Sequence, residues 1–221
     1  VNSSYLLSKA QKITLKKHWD SRLNEEYAET SFKRGLNSVD LGEAIAHYRK
    51  AISYNASHAK AYNNLGFALM NKGNNTEAIS HFKTAIELKP DFALAHENLG
   101  NVLQKNGNTS EAILSYKKAI RLKPDYAEAH NNLGVAMMNK GNTSEAIVHY
   151  KSAIKLKPDY AQAHNNLGVA LVAEGKNEEA ISHYKMAIKI KPDFAAVHNN
   201  LGIALVAEGK NEEAIFHYKM A

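Results

Sequence analysis

Histidine and asparagine are the residues of this 221-residue chain whose spacing could carry chemistry. His96, His130, His164 and His198 recur every 34 residues, and His81, His149, His183 and His217 occupy a second position of the same period. Imidazole binds metals and moves protons at neutral pH. No two of these histidines stand three or four residues apart, however, and the chain has no cysteine to assist them. A metal centre needs several donors converging at bonding distance. The first series is therefore expected to fill an aromatic packing position and the second to be partly exposed, with no metal and no cofactor. Asparagine forms the other pattern. Asn64, Asn98, Asn132, Asn166 and Asn200 make one ladder, and Asn63, Asn131, Asn165 and Asn199 stand beside it, with Glu97 in the remaining place. A primary amide both donates and accepts, so it can pair with a peptide backbone whatever the side chains.

Other chemistries lack their residues. There is no Gly-x-Ser-x-Gly turn, no His-Glu-x-x-His and no dinucleotide glycine fingerprint, and Gly175-Lys176-Asn177 lacks both the spacing and the hydroxyl of a phosphate loop. Nearly every polar group recurs once per period, whereas an active site gathers different groups at one place. An enzyme is not expected within these residues. The net charge of +6 and the isoelectric point near 9.2 would suit nucleic acid. Most of that charge lies in residues 1–24, where Lys9, Lys12, Lys16, Lys17 and Arg22 oppose Asp20. The basic character thus belongs to one segment, and no nucleic-acid partner is expected. A hydrophobic content of 44% is ordinary for a globular chain. No stretch approaches the ~18 apolar residues of a membrane span. Absence of cysteine excludes disulfides and fits a cytoplasmic chain by default, with an exported bacterial compartment as the alternative.

The elements that must position these groups follow from the period. Pro90, Pro124, Pro158 and Pro192 fall 34 residues apart, and ten of the twelve glycines form two ladders, one through Gly134 and one through Gly141. Residues 127–140 place Leu133 and Met137 four apart beside Ala129 and Ala136, a helical stripe. Gly141 reads as the stop of that helix. Thr143 and its equivalents Asn75, Thr109, Asn177 and Asn211 are expected to cap a second helix, which carries Ala146, Ile147, Tyr150, Ala153 and Ile154 and ends at Pro158. Asp159 is expected to cap the next repeat, with Ser57 in that role for the first. Gly134 and Ala146 let the two helices approach, and Tyr150 fills the space above them. Neither helix buries its apolar face alone, so the repeats must stack.

His130, Leu133, Gly134, Met137, Ala146, Tyr150, Ala153 and Pro158 of the third repeat, with Tyr62 at the first aromatic position of the first, resemble the tetratricopeptide repeat (TPR) family. The resemblance implies an all-α, right-handed superhelical solenoid of antiparallel helix pairs. On this reading 1–24 is an N-terminal basic helix or cap and 25–58 a degenerate repeat. Repeats follow at 59–92, 93–126, 127–160, 161–194 and, truncated, 195–221. The degenerate repeat lacks the Leu-Gly pair in its first helix, and an insertion of a few residues is expected between Gly35 and Gly42. Residues 5–23, with Leu6, Leu7, Ile13 and Trp19, are expected to cap the first repeat in preference to touching an acidic partner or membrane surface. The Asn-x-Ser/Thr sequences at Asn2, Asn55, Asn74, Asn108 and Asn142 need no glycan, since three follow a loop glycine where turn chemistry accounts for them.

In the resembled family the first helices line a concave groove. A stripe there would carry Phe67 and Met70, Asn101 and Gln104, Val135 and Met138, Val169 and Val172, and Ile203 and Val206 beside the asparagines. The ladder is similar to that in the repeat arm of O-linked sugar transferases, which implies that the amides hold extended polypeptide while the apolar strip buries side chains. The alternative is that the amides bond within the array. Repeat clamps for a chaperone's C-terminal carboxylate use basic residues where this chain has asparagine, glutamate, glutamine or alanine, so that partner is disfavoured. The expected function is a non-catalytic scaffold for a protein or peptide. A structural subunit associating through its uncapped C-terminal end or outer surface, and a regulatory arm of an enzyme encoded elsewhere, are the alternatives.

Overall fold

The computed structural model describes residues 9–221, with side chains from Lys12 onward, so Asn2, Leu6 and Leu7 lie outside the described residues. Twelve helices and no strands occur among these: α1 (Lys9–Asn37), α2 (Leu41–Tyr54), α3 (Ala59–Asn71), α4 (Asn75–Leu88), α5 (Ala93–Lys105), α6 (Thr109–Leu122), α7 (Ala127–Asn139), α8 (Thr143–Leu156), α9 (Ala161–Ala173), α10 (Asn177–Ile190), α11 (Ala195–Ala207) and α12 (Asn211–Met220). The architecture is the all-α solenoid of antiparallel helix pairs implied by the period. The chain divides within α5 into two compact units, 1–95 and 96–221. No described helix is long and apolar enough to cross a membrane.

In the second compact unit each hairpin is closed by glycine at both of its special places. Gly141 ends α7 at φ +80°, a conformation that costs other residues roughly 1–2 kcal/mol. The Asn142 N–H then reaches the Met137 carbonyl at 3.0 Å, satisfying a terminal acceptor of α7. Gly134 serves packing instead. A Cβ built on it would lie 2.5 Å from Cε1 of Tyr150, whose ring is 2% exposed. Ala146 and Ala153 complete the buried seam of α8.

The caps fall one residue earlier or later than the side-chain types suggest. Asn74, Asn108 and Asn142 occupy the N-cap places of α4, α6 and α8, so Asn75, Thr109 and Thr143 are already helical. Lys176 and Lys210 hold the corresponding places before Asn177 and Asn211. The Asn74 side chain accepts the Glu77 N–H at 3.4 Å. Ahead of α9 the cap is Tyr160, not Asp159, because the Tyr160 carbonyl takes the first helical bond, from the His164 N–H at 3.1 Å. The Tyr160 ring lies under Lys157 Nζ, 5.2 Å from its centroid. At α3 the cap is His58 rather than Ser57, with Nδ1 accepting from Ala61 N at 3.2 Å.

The first compact unit shows where the period contracts. A Cβ on Gly35 would stand 2.5 Å from Cε1 of Tyr48, the same approach as Gly134 to Tyr150. Gly35 is therefore the packing glycine of the degenerate repeat, preceded by Arg34 in place of leucine. Tyr48 follows it by thirteen positions, where sixteen separate the later pairs. The difference is a loss of three residues, not the expected insertion, and α1 ends almost a turn early. Ala28, Ser31 and Phe32 are buried on the part of α1 that packs against α2. The same helix continues without a break back through 24 to residue 9. Every described side chain from Lys12 to Tyr27 is exposed, including Ile13 and Trp19. The buried residues of the helix, Ala28, Ser31, Phe32 and Gly35, all lie beyond that segment.

Candidate interaction surface on the first helices

Within residues 96–221, α7 meets α9 and α9 meets α11, so successive first helices form a continuous face. Amides tie them together. Asn166 Nδ2 donates to Asn131 Oδ1 at 2.9 Å, and Asn200 Nδ2 donates to Asn165 Oδ1 at 3.0 Å. Asn131 Nδ2 in turn donates to Asn132 Oδ1 at 3.3 Å, and Asn165 Nδ2 to Asn166 Oδ1 at 3.4 Å. Asn131 and Asn165 are buried, whereas Asn132, Asn166 and Asn200 are half-buried. The two asparagine series therefore differ in position: one lies inside the stack and the other along its edge. Asn199 is exposed and Asn98 buried.

Beside the amides the apolar strip faces outward. Val169, Ile203 and Val206 are 40–51% exposed, and Val135, Met138 and Val172 are half-buried. The strip is interrupted by polar residues. Glu97 is 7% exposed, and its Oε1 accepts from Asn101 Nδ2 at 2.6 Å and from Asn132 Nδ2 at 2.8 Å. Burial pushes the Glu97 carboxyl above the usual carboxylate range, opposed by those hydrogen bonds. The Tyr116 hydroxyl donates to Asn101 Oδ1 at 2.8 Å and stands 3.2 Å from Gln104 Oε1. Burial, with the Glu97 charge nearby, raises the Tyr116 phenol, so it stays a donor. A polar node thus occupies the positions where the three later repeats present valine, isoleucine or methionine.

In residues 1–95 the same positions surround a hollow. Asn63 is 1% exposed and donates to Asn64 Oδ1 at 3.0 Å, while Asn64 also bonds the Tyr48 side chain. Phe67 is 47% exposed and Met70 half-buried. Because α1 stops early, Leu36, Leu41, Tyr48, Asn64, Phe67 and Ala68 border a cavity of 320 Å³.

The histidines make contacts that spacing alone does not disclose. His164 and His198 are buried and His149, His183 and His217 half-buried. Across each hairpin the two series meet, nineteen residues apart: His130 with His149, His164 with His183 and His198 with His217, Nδ1 to Nδ1, at 3.2, 3.0 and 3.0 Å. The signal was present in the equal offset between the two series, but only antiparallel helices crossing at that level bring them together.

Paired helices stacked so that first helices adjoin, with glycine against an aromatic ring in each hairpin, define a repeat solenoid of the protein-interaction class. The TPR repeat model matches residues 40–73, 68–107, 105–141, 138–173 and 168–209. The chain belongs to the TPR repeat family. No curated protein matches it. Among solved structures it is similar to MamA, at 30% identity over 71% of this chain and 91% of that one, with a TM-score of 0.65. YrrB, described as a TPR protein with an unusual peptide-binding site, shares the fold at 24% identity, over 78% of this chain and 89% of that one, with a TM-score of 0.64. PilF of Pseudomonas aeruginosa does so at 16% identity, over 88% and 90%, with a TM-score of 0.80.

Proposed function

We propose that this chain is a non-catalytic scaffold that holds an extended polypeptide along its first helices. The observation that carries the reading is the apolar strip at 40–51% exposure through Val169, Ile203 and Val206, flanked by the edge amides Asn132, Asn166 and Asn200. Apolar side chains left in water at successive repeats supply about 25 cal/mol per Å² when a partner covers them. Asn63, Asn131 and Asn165 belong to the frame that fixes the groove. Asn166 and Asn200 each engage one N–H within the array, and the amide's second N–H serves a partner's backbone carbonyl. The Glu97–Asn101–Gln104 node breaks the strip and would set the register of the bound chain. YrrB, alike in fold, is described as having a peptide-binding site, which agrees with this reading without carrying it.

The test pans a random peptide library against the protein and measures recovered peptides by calorimetry. Val169→Asp with Ile203→Asp should abolish their binding while the thermal midpoint is retained. Equal affinity for that variant would overturn the proposal. Leu114 and Val148, 68% and 61% exposed at one repeat position of the second helices, favour a second reading in which an outer face joins subunits. Concentration-dependent sedimentation that Leu114→Lys and Val148→Lys remove would support it.

A further inference from the structure

At the repeat position held by Asn63, Glu97, Asn131, Asn165 and Asn199, Glu97 alone carries a charge. It is buried, and side-chain donors converge on it. Oε1 accepts from Asn101 Nδ2 at 2.6 Å and from Asn132 Nδ2 at 2.8 Å. Oε2 faces the Tyr126 hydroxyl at 3.5 Å, longer than a good bond of that kind. Surroundings made of donors suit an ionised carboxylate, which only accepts. Yet among the described residues no lysine or arginine pairs with it. The charge that acts on it is Glu128 of α7, of the same sign. Lys157 is engaged by Glu128 at 3.4 Å, and Lys123 lies over the Tyr126 ring, 4.7 Å from its centroid. A buried ion with hydrogen bonds but no counter-ion weakens the fold that carries it.

The donors around this carboxylate are also spent. Asn132 Nδ2 gives its second N–H to Asn101 Oδ1 at 3.0 Å, so this edge amide keeps none for a partner, unlike Asn166 and Asn200. The Tyr116 hydroxyl has a single proton for two oxygens, Asn101 Oδ1 and Gln104 Oε1. Asn101 and Gln104 are half-buried, so the node reaches solvent at the break in the apolar strip. There a backbone carbonyl of a bound chain would meet acceptors and a negative charge. A positively charged group made only of N–H donors is complementary instead.

Resting on the groove reading above, we infer that this node receives a lysine or arginine side chain of the bound polypeptide, whose ammonium or guanidinium group pairs with the Glu97 carboxylate through Oε2. The bound segment then sets its basic residue against repeat 93–126 and apolar side chains against the repeats that follow, where Val135, Val169 and Ile203 stand. The single glutamate fixes the register that a uniform asparagine ladder would leave free to slip by one repeat.

The test pans a random peptide library against the protein and against Glu97→Asn, which places there the residue of the other repeats. Peptides recovered on the unaltered protein should share a lysine or arginine at one fixed position, and those recovered on the variant should not. In a synthetic member of the first set, norleucine for that lysine, or citrulline for that arginine, removes the charge and nearly keeps the length. Calorimetry should show this weakening the complex about tenfold or more. With Glu97→Gln the same replacement should change affinity less than about twofold, since the coupling lies between the two charges. Peptides lacking a shared basic residue, or an equal loss with Glu97→Gln, overturn the inference and leave the scaffold reading standing. Recovery of no peptide overturns both. Should either variant lose its helical circular dichroism, the unaltered protein decides: undiminished affinity for the norleucine or citrulline peptide refutes the pairing, and the tenfold loss upholds it.

Discussion

Replacing Asn131 by alanine tests whether the amide ladder is a structural frame. Asn131 is 3% exposed. Its Oδ1 accepts from Asn166 at 2.9 Å, and its Nδ2 donates to Asn132 at 3.3 Å. A net hydrogen bond is worth roughly 1 kcal/mol, and a partner left unsatisfied costs about 1–3 kcal/mol according to how far water can reach it. Asn132 and Asn166 are half-buried, so water repairs part of the loss and Asn131→Ala should cost about 1.5–2.5 kcal/mol. Asn166→Ala removes the same 2.9 Å bond from the other side. The double variant should therefore fall short of the summed costs by about 0.5–1.5 kcal/mol. Urea unfolding followed by far-ultraviolet circular dichroism measures this for the four proteins. Slopes are compared alongside midpoints, because a repeat array need not unfold in one step. Additivity within about 0.3 kcal/mol would refute the idea that these amides couple neighbouring repeats.

Gly134→Ala and Gly141→Ala should both destabilise, for different reasons. At Gly134 alanine gains about 1 kcal/mol of helix propensity. Its Cβ at 2.5 Å from Tyr150 costs about 1–3 kcal/mol or more of overpacking, so the thermal midpoint should drop. At Gly141 nothing lies within 4 Å of the new Cβ, and the loss is backbone strain of about 1–2 kcal/mol alone. Burial lowers His130, His149, His183 and His217. Their neutral forms therefore stabilise the fold fully above the ordinary value near 6.5, and that stability is lost as pH falls through the lowered folded values. Urea midpoints should decline from pH 7.5 to 5.5, and the slope should flatten in H149F/H183F/H217F. Glu97 has the opposite sign: burial raises its carboxyl, so ionisation weakens the fold as pH rises through the raised value. Glu97→Gln should raise the urea midpoint at pH 7.5 and leave it unchanged at pH 4.

Much of the architecture is decided by short-range rules and was legible in residue order. Gly141 needs a left-handed backbone, Pro158 cannot continue a helix, and Leu133 with Met137 makes a stripe only when coiled, so hairpin and period follow from neighbours along the chain. The apolar strip through Val135, Val169 and Ile203 is readable in the same way. Tertiary packing decided what depends on distances between residues far apart in sequence. Asn131 and Asn132 are adjacent and chemically identical, and only the next repeat, through Asn166, puts one inside the frame and the other at its edge. Gly35 stands beside Arg34 and thirteen residues before Tyr48, so its role rests on the ring packed against it. His164 meets His183 because antiparallel helices cross at that level. A chain's periodicity specifies which faces turn inward; which atoms then touch is settled by how closely one repeat seats upon another.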